Sequence, residues 1–231
     1  MKSVLLGSFI LLHTMLYAQS TGLRLRAVGI DVFKNLPLMA SFPQMGVMTG
    51  QERIQYSNPL MLETYFQFST RQPHHFNHIG VGYAQLNEQI ASRLTQNSEG
   101  YFIKMGHEQH AKNHPLKSHA FWGYNLTLTY LKVKSQLSIK SQHFPHYQQS
   151  LPDESGLGAY LEMNAGYAFL VFGRLETRIV ARTGLALSKV GNPNSSYLPG
   201  AGMRLWRNTL SPVGGITVQF FYLKQSASDK I

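Results

Sequence analysis

The sequence contains no cysteine and only two tryptophans in 231 residues. Without cysteine the chain can form neither disulfides nor thiolate metal sites. After residue 18 it also lacks any apolar run approaching the roughly 20 residues that a transmembrane helix needs. Aromatic residues nevertheless make up 12% of the chain. Low helical hydropathy combined with many aromatics favours a membrane β-barrel, in which half of each strand's residues are polar.

Acidic residues are also scarce. The chain has 11 of them against 21 lysines and arginines, giving a formal net charge of +10. This positive charge would favour binding to outer-membrane lipids, through the phosphates of lipopolysaccharide, or to an acidic partner. A nucleic-acid partner is disfavoured, because the basic residues are dispersed and the N-terminus predicts export.

The first 18 residues have the pattern of a secretory signal peptide. A single basic residue, Lys2, precedes an apolar run of about 14 residues, and the small residue Ala18 stands before Gln19. No cysteine follows, which excludes lipoprotein anchoring. We therefore expect a signal peptide at 1–18, a single barrel domain at 19–224 and a periplasmic C-terminal tail at 225–231.

Residues 157–188 show the strand pattern most clearly. Leu161, Met163 and Tyr167 alternate with polar or small residues, and the same alternation runs from Leu175 to Leu187. Neighbouring side chains on a strand point to opposite faces, so each strand has one apolar and one charged face. A soluble barrel would place the apolar face inside, whereas a membrane barrel turns it toward lipid.

The same alternation predicts eight strands, and we expect an all-β, eight-stranded antiparallel up-and-down transmembrane barrel. The strands lie near residues 23–33, 60–69, 76–87, 100–109, 122–130, 161–169, 175–187 and 216–222. Connections of about 25, 12, 24 and 25 residues alternate with connections of about 7, 9 and 4. Outer-membrane barrels place long loops outside the cell and short turns in the periplasm. Both termini are then periplasmic.

On each strand, the charged residues alternate with the apolar ones and should therefore point into the barrel. They predict a polar network that fills the narrow lumen of an eight-stranded barrel. They are Glu63, Lys104, Glu108, Glu162, Arg174, Glu176, Arg178 and Arg182. Arginine or lysine on the lipid face would cost roughly 2–4 kcal/mol at mid-membrane, which fixes the direction of each strand. Outward aromatics are predicted to mark the membrane interfaces: Trp122, Tyr124, Tyr130, Tyr167, Phe220 and Tyr222. Arg24 and Arg26 have outward parity, and we expect them to snorkel to the interface.

Histidines cluster at two predicted turns, His74, His75 and His78 at one and His107, His110 and His114 at the next. A metal site is one interpretation. However, His107 and His110 point to opposite faces of a strand, so solvated turn histidines are the simpler prediction. Glu108 beside His107 is the only hint of catalysis, and no nucleophile, base and orienting group are combined. We therefore predict no enzyme, no metal and no cofactor.

Several different short motifs carry a family resemblance. They lie at residues 29–32, 100–106 and 198–202, in the hairpin around Glu162 and in the closing aromatic strand. Together with the Ala18-Gln19 cleavage site, they resemble an uncharacterised family of eight-stranded outer-membrane barrels of Bacteroidota-type bacteria. That resemblance implies the same fold and cellular location. It brings no catalytic residues, because the family has no assigned activity.

Two functions remain open from the sequence. The first is a non-enzymatic structural or accessory subunit of a larger outer-membrane complex for protein assembly or export. The second is a small-solute pore or ligand-binding barrel. A lipid-modifying enzyme is a weaker third hypothesis.

Overall fold

The computed structural model describes residues 24–31, 54–90, 93–111, 118–139, 147–190, 197–200, 202–203 and 210–224. These residues form eleven β-strands: β1 (Arg24–Asp31), β2 (Ile54–Ser69), β3 (His75–Ile90), β4 (Leu94–His110), β5 (Ser118–Ile139), β6 (Tyr147–Ser150), β7 (Glu154–Phe172), β8 (Leu175–Val190), β9 (Tyr197–Leu198), β10 (Gly202–Met203) and β11 (Leu210–Leu223). Among the described residues, no helix has the length and hydropathy required to cross a membrane. The predicted signal peptide and C-terminal tail lie outside these residues, so the boundaries at 18 and 224 stay predictions.

Eight of the strands close into a ring, as predicted. Each pairs antiparallel with its neighbours in chain order, β1 pairs with β11, and β5 pairs with both β4 and β7. The short strand β6 is added beside the end of β5, while β9 and β10 form a separate two-stranded hairpin. The fold is therefore an up-and-down, eight-stranded antiparallel barrel.

The pairing is staggered around the barrel. A row of hydrogen-bonded partners that starts at Leu128 on β5 returns to β5 at Ser118, ten residues away. Between them it passes through Ile103, Val81, Thr64, Ile30, Phe220, Thr177 and Phe169. Such a stagger goes with strands tilted by about 35–45° to the barrel axis, which leaves an interior just wide enough for side chains.

The apolar side chains face outward and the charged ones inward. Leu126, Leu128 and Ile179 are 45–49% exposed, whereas Glu162 and Arg178 are 2% and 0% exposed. A soluble barrel would show the reverse arrangement.

The strands β3, β4, β5 and β7 run further than predicted on the side away from the short turns. Residues 88–99, expected to be a loop, continue β3 and β4, leaving only 91–93 between them. Likewise β5 extends to Ile139 and β7 begins at Glu154, inside the loop predicted at 133–156. Beyond the barrel the outward side chains of these strands are polar, so no apolar face signalled a strand. The predicted division into long and short connections therefore fails at the connection between β3 and β4.

One irregularity redirects a predicted side chain. The pairing of β1 with β2 slips between Leu25 and Ala27, which leaves Arg26 in a β-bulge. A bulge turns a side chain away from the direction that alternation predicts. Instead of snorkelling outward, the Arg26 guanidinium donates to Gln67 Oε1 at 2.8 Å. It also lies 3.7 Å from Glu176 Oε2, at the mouth of the lumen.

Candidate functional site: the polar lumen

The structure places seven of the eight predicted charges inside the barrel, each at most 7% exposed: Glu63, Lys104, Glu108, Glu162, Glu176, Arg178 and Arg182. Arg174 was wrongly assigned to this set. It lies exposed in the two-residue turn between β7 and β8, because β8 begins one residue later, at Leu175. Its Nη1 donates to the Tyr222 hydroxyl at 3.2 Å, on the outer side of the barrel.

Lys104 and Arg182 organise the centre of the lumen. Lys104 Nζ lies 2.9 Å from Glu63 Oε1 and 3.6 Å from Glu162 Oε1. Arg182 Nη2 donates to Asp31 Oδ2 at 2.9 Å and to the Tyr65 hydroxyl at 3.0 Å. Carboxylates and cations from five strands thus meet across the interior, where each charge is held by an opposite one.

A second cluster surrounds Arg178, toward the short turns. Its Nη1 donates to Glu108 Oε2 at 2.9 Å and its Nε to Glu176 Oε1 at 2.6 Å. The guanidinium carbon lies 3.9 Å from the centroid of the Phe221 ring. Planar stacking and two carboxylate partners are a geometry that arginine provides and lysine does not.

His78 joins the two clusters. Asn125 Nδ2 donates to Glu162 Oε1 at 2.7 Å, so its Oδ1 faces His78 Nε2, 2.6 Å away. Since that oxygen only accepts, His78 Nε2 carries a hydrogen. The other ring nitrogen, Nδ1, lies 3.7 Å from Glu108 Oε1. His78 therefore lies between the two clusters, hydrogen-bonded to the central one through Asn125, while its Nδ1 makes no hydrogen bond within the described residues.

His78 and His110 are buried, at 3% and 4% exposure, so the prediction that the turn histidines are solvated is wrong for these two, whereas His74 is exposed. His110 Nε2 lies 3.4 Å from Glu108 Oε2, and its Nδ1 lies 2.7 Å from His119 Nε2. His107 points outward instead, with its Nδ1 2.8 Å from Asn77 Oδ1. His107 and His110 thus occupy opposite faces, as predicted, while His114 lies outside the described residues.

Metal binding and catalysis find no further support in this geometry. Within the part of the chain that the structure describes, no group of three or more histidine or acidic side chains could hold a metal ion. Glu108 faces the lumen and pairs with Arg178, whereas the neighbouring His107 faces away. The two therefore cannot act on one substrate.

Apolar side chains line part of the loop-side half of the lumen and are covered by residues 198–200, a feature that the sequence did not predict, while Glu88 and Gln96 are also buried at this end. Leu198, at the end of β9, is fully buried in a cluster with Leu131, Val133, Tyr160, Ala186 and Val213. The Tyr160 hydroxyl donates to the Gly200 carbonyl. Gly200 has φ +80°, and a Cβ there would lie 2.6 Å from the Phe102 ring. Residues 198–200 therefore fit as a cap, and the only sequence signal was an apolar Leu-Pro-Gly within a polar loop.

The predicted aromatics lie on the outside. Trp122, Tyr124, Tyr130, Tyr167 and Tyr222 are 44–56% exposed. Phe220 has the same outward parity and is half-buried. Tyr83, Tyr101 and Tyr130 are direct partners across β3, β4 and β5, which makes a continuous row on the loop side.

Beyond this tyrosine row the outer surface becomes polar. Lys132 Nζ lies 2.8 Å from Asp153 Oδ2, and Lys134 Nζ lies 3.4 Å from Glu99 Oε1. The hydrogen bond from Lys132 lowers the pKa of Asp153 below its usual value. Cations and carboxylates are therefore paired with each other at this end of the barrel.

Comparison with known proteins assigns no family to the chain. No protein-family model matches the chain, and no curated protein matches it. Among solved structures, the crystal structure of Neisserial surface protein A (NspA) is similar over 85% of this chain and 96% of that one. The two are 10% identical, with a TM-score of 0.41.

Proposed function

We propose that this protein is an integral outer-membrane barrel that does not conduct solutes and serves as an accessory subunit of a larger membrane complex. The membrane placement rests on the direction of the side chains, which is the reverse of that in a soluble barrel. Large apolar side chains cover the outside, and the seven ionisable side chains named above are buried inside. Such an exterior is stable in lipid, whereas in water it would be a large aggregation-prone surface.

The spacing of the aromatic side chains gives this apolar surface a height similar to the apolar band of outer-membrane barrels. Trp122 and Tyr130 lie eight residues apart on β5, which is about 26 Å along a strand at roughly 3.3 Å per residue. At a tilt of about 40°, this spans roughly 20 Å along the barrel axis. Aromatic girdles flank an apolar band of about 25 Å in outer-membrane barrels.

The orientation follows from the connections. The connections at 70–74, 111–117 and 173–174 are short and share one end with both termini of the barrel. We assign this end to the periplasm and the extended strands to the cell exterior, as is general for bacterial barrels.

The filled lumen argues against a pore. The Lys104 and Arg178 clusters cross the interior, and residues 198–200 close the loop side. An ion would have to displace paired charges in a low-dielectric interior, which is costly. We expect no discrete openings in planar bilayers.

The accessory role rests on the part of β3, β4, β5 and β6 that rises beyond the tyrosine row. Its outward side chains, including Gln89, Thr95 and Gln136, are polar and exposed, and β6 adds a further strand to β5. We propose that this projecting sheet contacts the partner protein, since strand edges and flat polar faces are common protein-binding surfaces.

Copurification from native membranes in mild detergent tests this role. A variant with residues 87–97 replaced by an Asn-Gly turn shortens the hairpin while keeping the barrel below it. We expect the unaltered protein to copurify with a defined partner and the shortened variant to be recovered folded but alone. Recovery of the unaltered protein alone under every condition would contradict the accessory role.

A further inference from the structure

The exposed charges of the barrel are distributed unevenly between its two ends. Within the described ranges, every acidic side chain that reaches solvent lies on the loop side, as Glu99, Asp153 and Glu154 do. The five carboxylates nearer the short turns are all buried: Asp31, Glu63, Glu108, Glu162 and Glu176. The exposed charges described at the turn-side rim are therefore cations.

Four of these cations lie on adjacent strand ends, in the order β8, β11, β1 and β2: Arg174, Lys224, Arg24 and Arg71. Backbone hydrogen bonds fix their proximity. Leu223 N donates to the Arg174 carbonyl at 2.9 Å, and Lys224 N donates to the Arg26 carbonyl at 2.7 Å. Arg24 pairs with Ser69, two residues before Arg71. We call these four cations the rim patch.

The rim patch adjoins the apolar band. Arg174 Nη1 donates to the Tyr222 hydroxyl, and Tyr222 is 56% exposed on the outer face. Phe172, two residues before Arg174, is 75% exposed. Lys224 shares the outward parity of Tyr222. Cations and a phenol hydroxyl thus stand at the edge of the apolar surface, at the depth where lipid headgroups lie.

We propose that Arg174, Lys224 and Tyr222 bind the phosphate of an anionic phospholipid in the leaflet next to the short turns, with Arg24 and Arg71 extending the site. Arginine offers several N–H donors to phosphate oxygens, and lysine adds a point charge. The Tyr222 hydroxyl accepts from Arg174 and donates its own hydrogen to the phosphate. This inference rests on the membrane placement proposed above.

Native mass spectrometry of the full chain, released from vesicles of phosphatidylcholine with or without phosphatidylglycerol, tests the site. We expect one phosphatidylglycerol to be retained in preference to phosphatidylcholine. Arg174→Gln with Lys224→Gln should weaken retention about thirtyfold, because each cation near an anionic surface contributes roughly fivefold. Tyr222→Phe should weaken it less, since the ring and both charges remain.

The matched control is Lys132→Gln with Lys134→Gln, which removes the same charge from the loop side and should leave retention unchanged. Equal loss in both double variants would overturn the proposal, because it would show attraction by net charge alone. Competition by inorganic phosphate as effective as that by phosphatidylglycerol would also overturn it. Insertion into pure phosphatidylcholine vesicles, followed by heat-modifiable migration, tests the membrane placement separately.

Discussion

Lys104 Nζ lies 2.9 Å from Glu63 Oε1, and neither side chain is exposed to solvent. The two residues come from β4 and β2, so their contact crosses the lumen and ties strands that are not neighbours. Replacing one partner of a buried pair leaves an uncompensated charge, which costs about 3–5 kcal/mol. We expect Lys104→Met to lower the free energy of unfolding by this amount, measured by urea titration in vesicles.

The matched control for Lys104 removes both charges. Lys104→Met with Glu63→Gln should recover part of the lost stability, because only Glu162 then loses a contact with Lys104, and Glu162 still accepts from Asn125 and lies 3.8 Å from Arg182. Strictly additive losses in the double variant would contradict an energetic coupling between the two residues.

The direction of the apolar face can be tested with one added charge. Leu126 is 45% exposed on the outer face of β5, midway between Trp122 and Tyr130. Leu126→Arg should destabilise the folded barrel by roughly 2–4 kcal/mol in a bilayer, since its guanidinium would lie in hydrocarbon. Gln136→Arg, on the same face but beyond the tyrosine row, should change stability by less than about 1 kcal/mol. Equal effects of the two substitutions would argue against the proposed membrane span.

Gly200 tests the cap on the lumen. Gly200→Ala combines a positive φ with a Cβ 2.6 Å from the Phe102 ring, and such strain costs about 1–3 kcal/mol. We expect residues 197–203 to leave the barrel mouth more often and to be cleaved faster by added protease. Phe102→Leu in the same chain should restore part of the protection by making room. Unchanged cleavage of Gly200→Ala would mean that the cap does not depend on this contact.

His78 offers a test of the link between the two charge clusters. His78→Leu leaves Asn125 Oδ1 without its donor, at a cost of about 1–3 kcal/mol. His78→Gln can place an amide N–H in the same position and should cost less. The thermal transition of the refolded barrel, followed by heat-modifiable migration, measures the difference. Equal losses would indicate that the hydrogen bond at 2.6 Å contributes little beyond packing.

Alternation along the strands was enough to predict the closed barrel and the inward direction of residues such as Lys104 and Glu162. Both follow from a period of two, which any strand imposes on its side chains. The period weakens where a strand is polar on both faces. For this reason the ends of β3 and β4, rising beyond Tyr83 and Tyr101, were predicted to be a loop.

Single side chains were missed where the backbone departs from regular alternation or where partners are distant in sequence. Arg26 lies in a bulge and Arg174 in a turn, so strand alternation could not assign the direction of either side chain. His78 is buried because it meets Asn125, 47 residues away, and no local pattern reports that contact. The cap at 198–200 likewise depends on Phe102 and Tyr160, which belong to other strands.

The long β3–β4 hairpin has a practical consequence. Seven residues separate Tyr83 from Ile90, about 23 Å of strand at roughly 3.3 Å per residue. The connection at 91–93 therefore joins the far ends of β3 and β4, which are flanked by β2 as far as Ile90 and by β5 as far as Leu94. A peptide epitope inserted there would be displayed at the end of this projecting sheet, and antibody labelling of intact cells would report directly which side of the envelope the sheet faces.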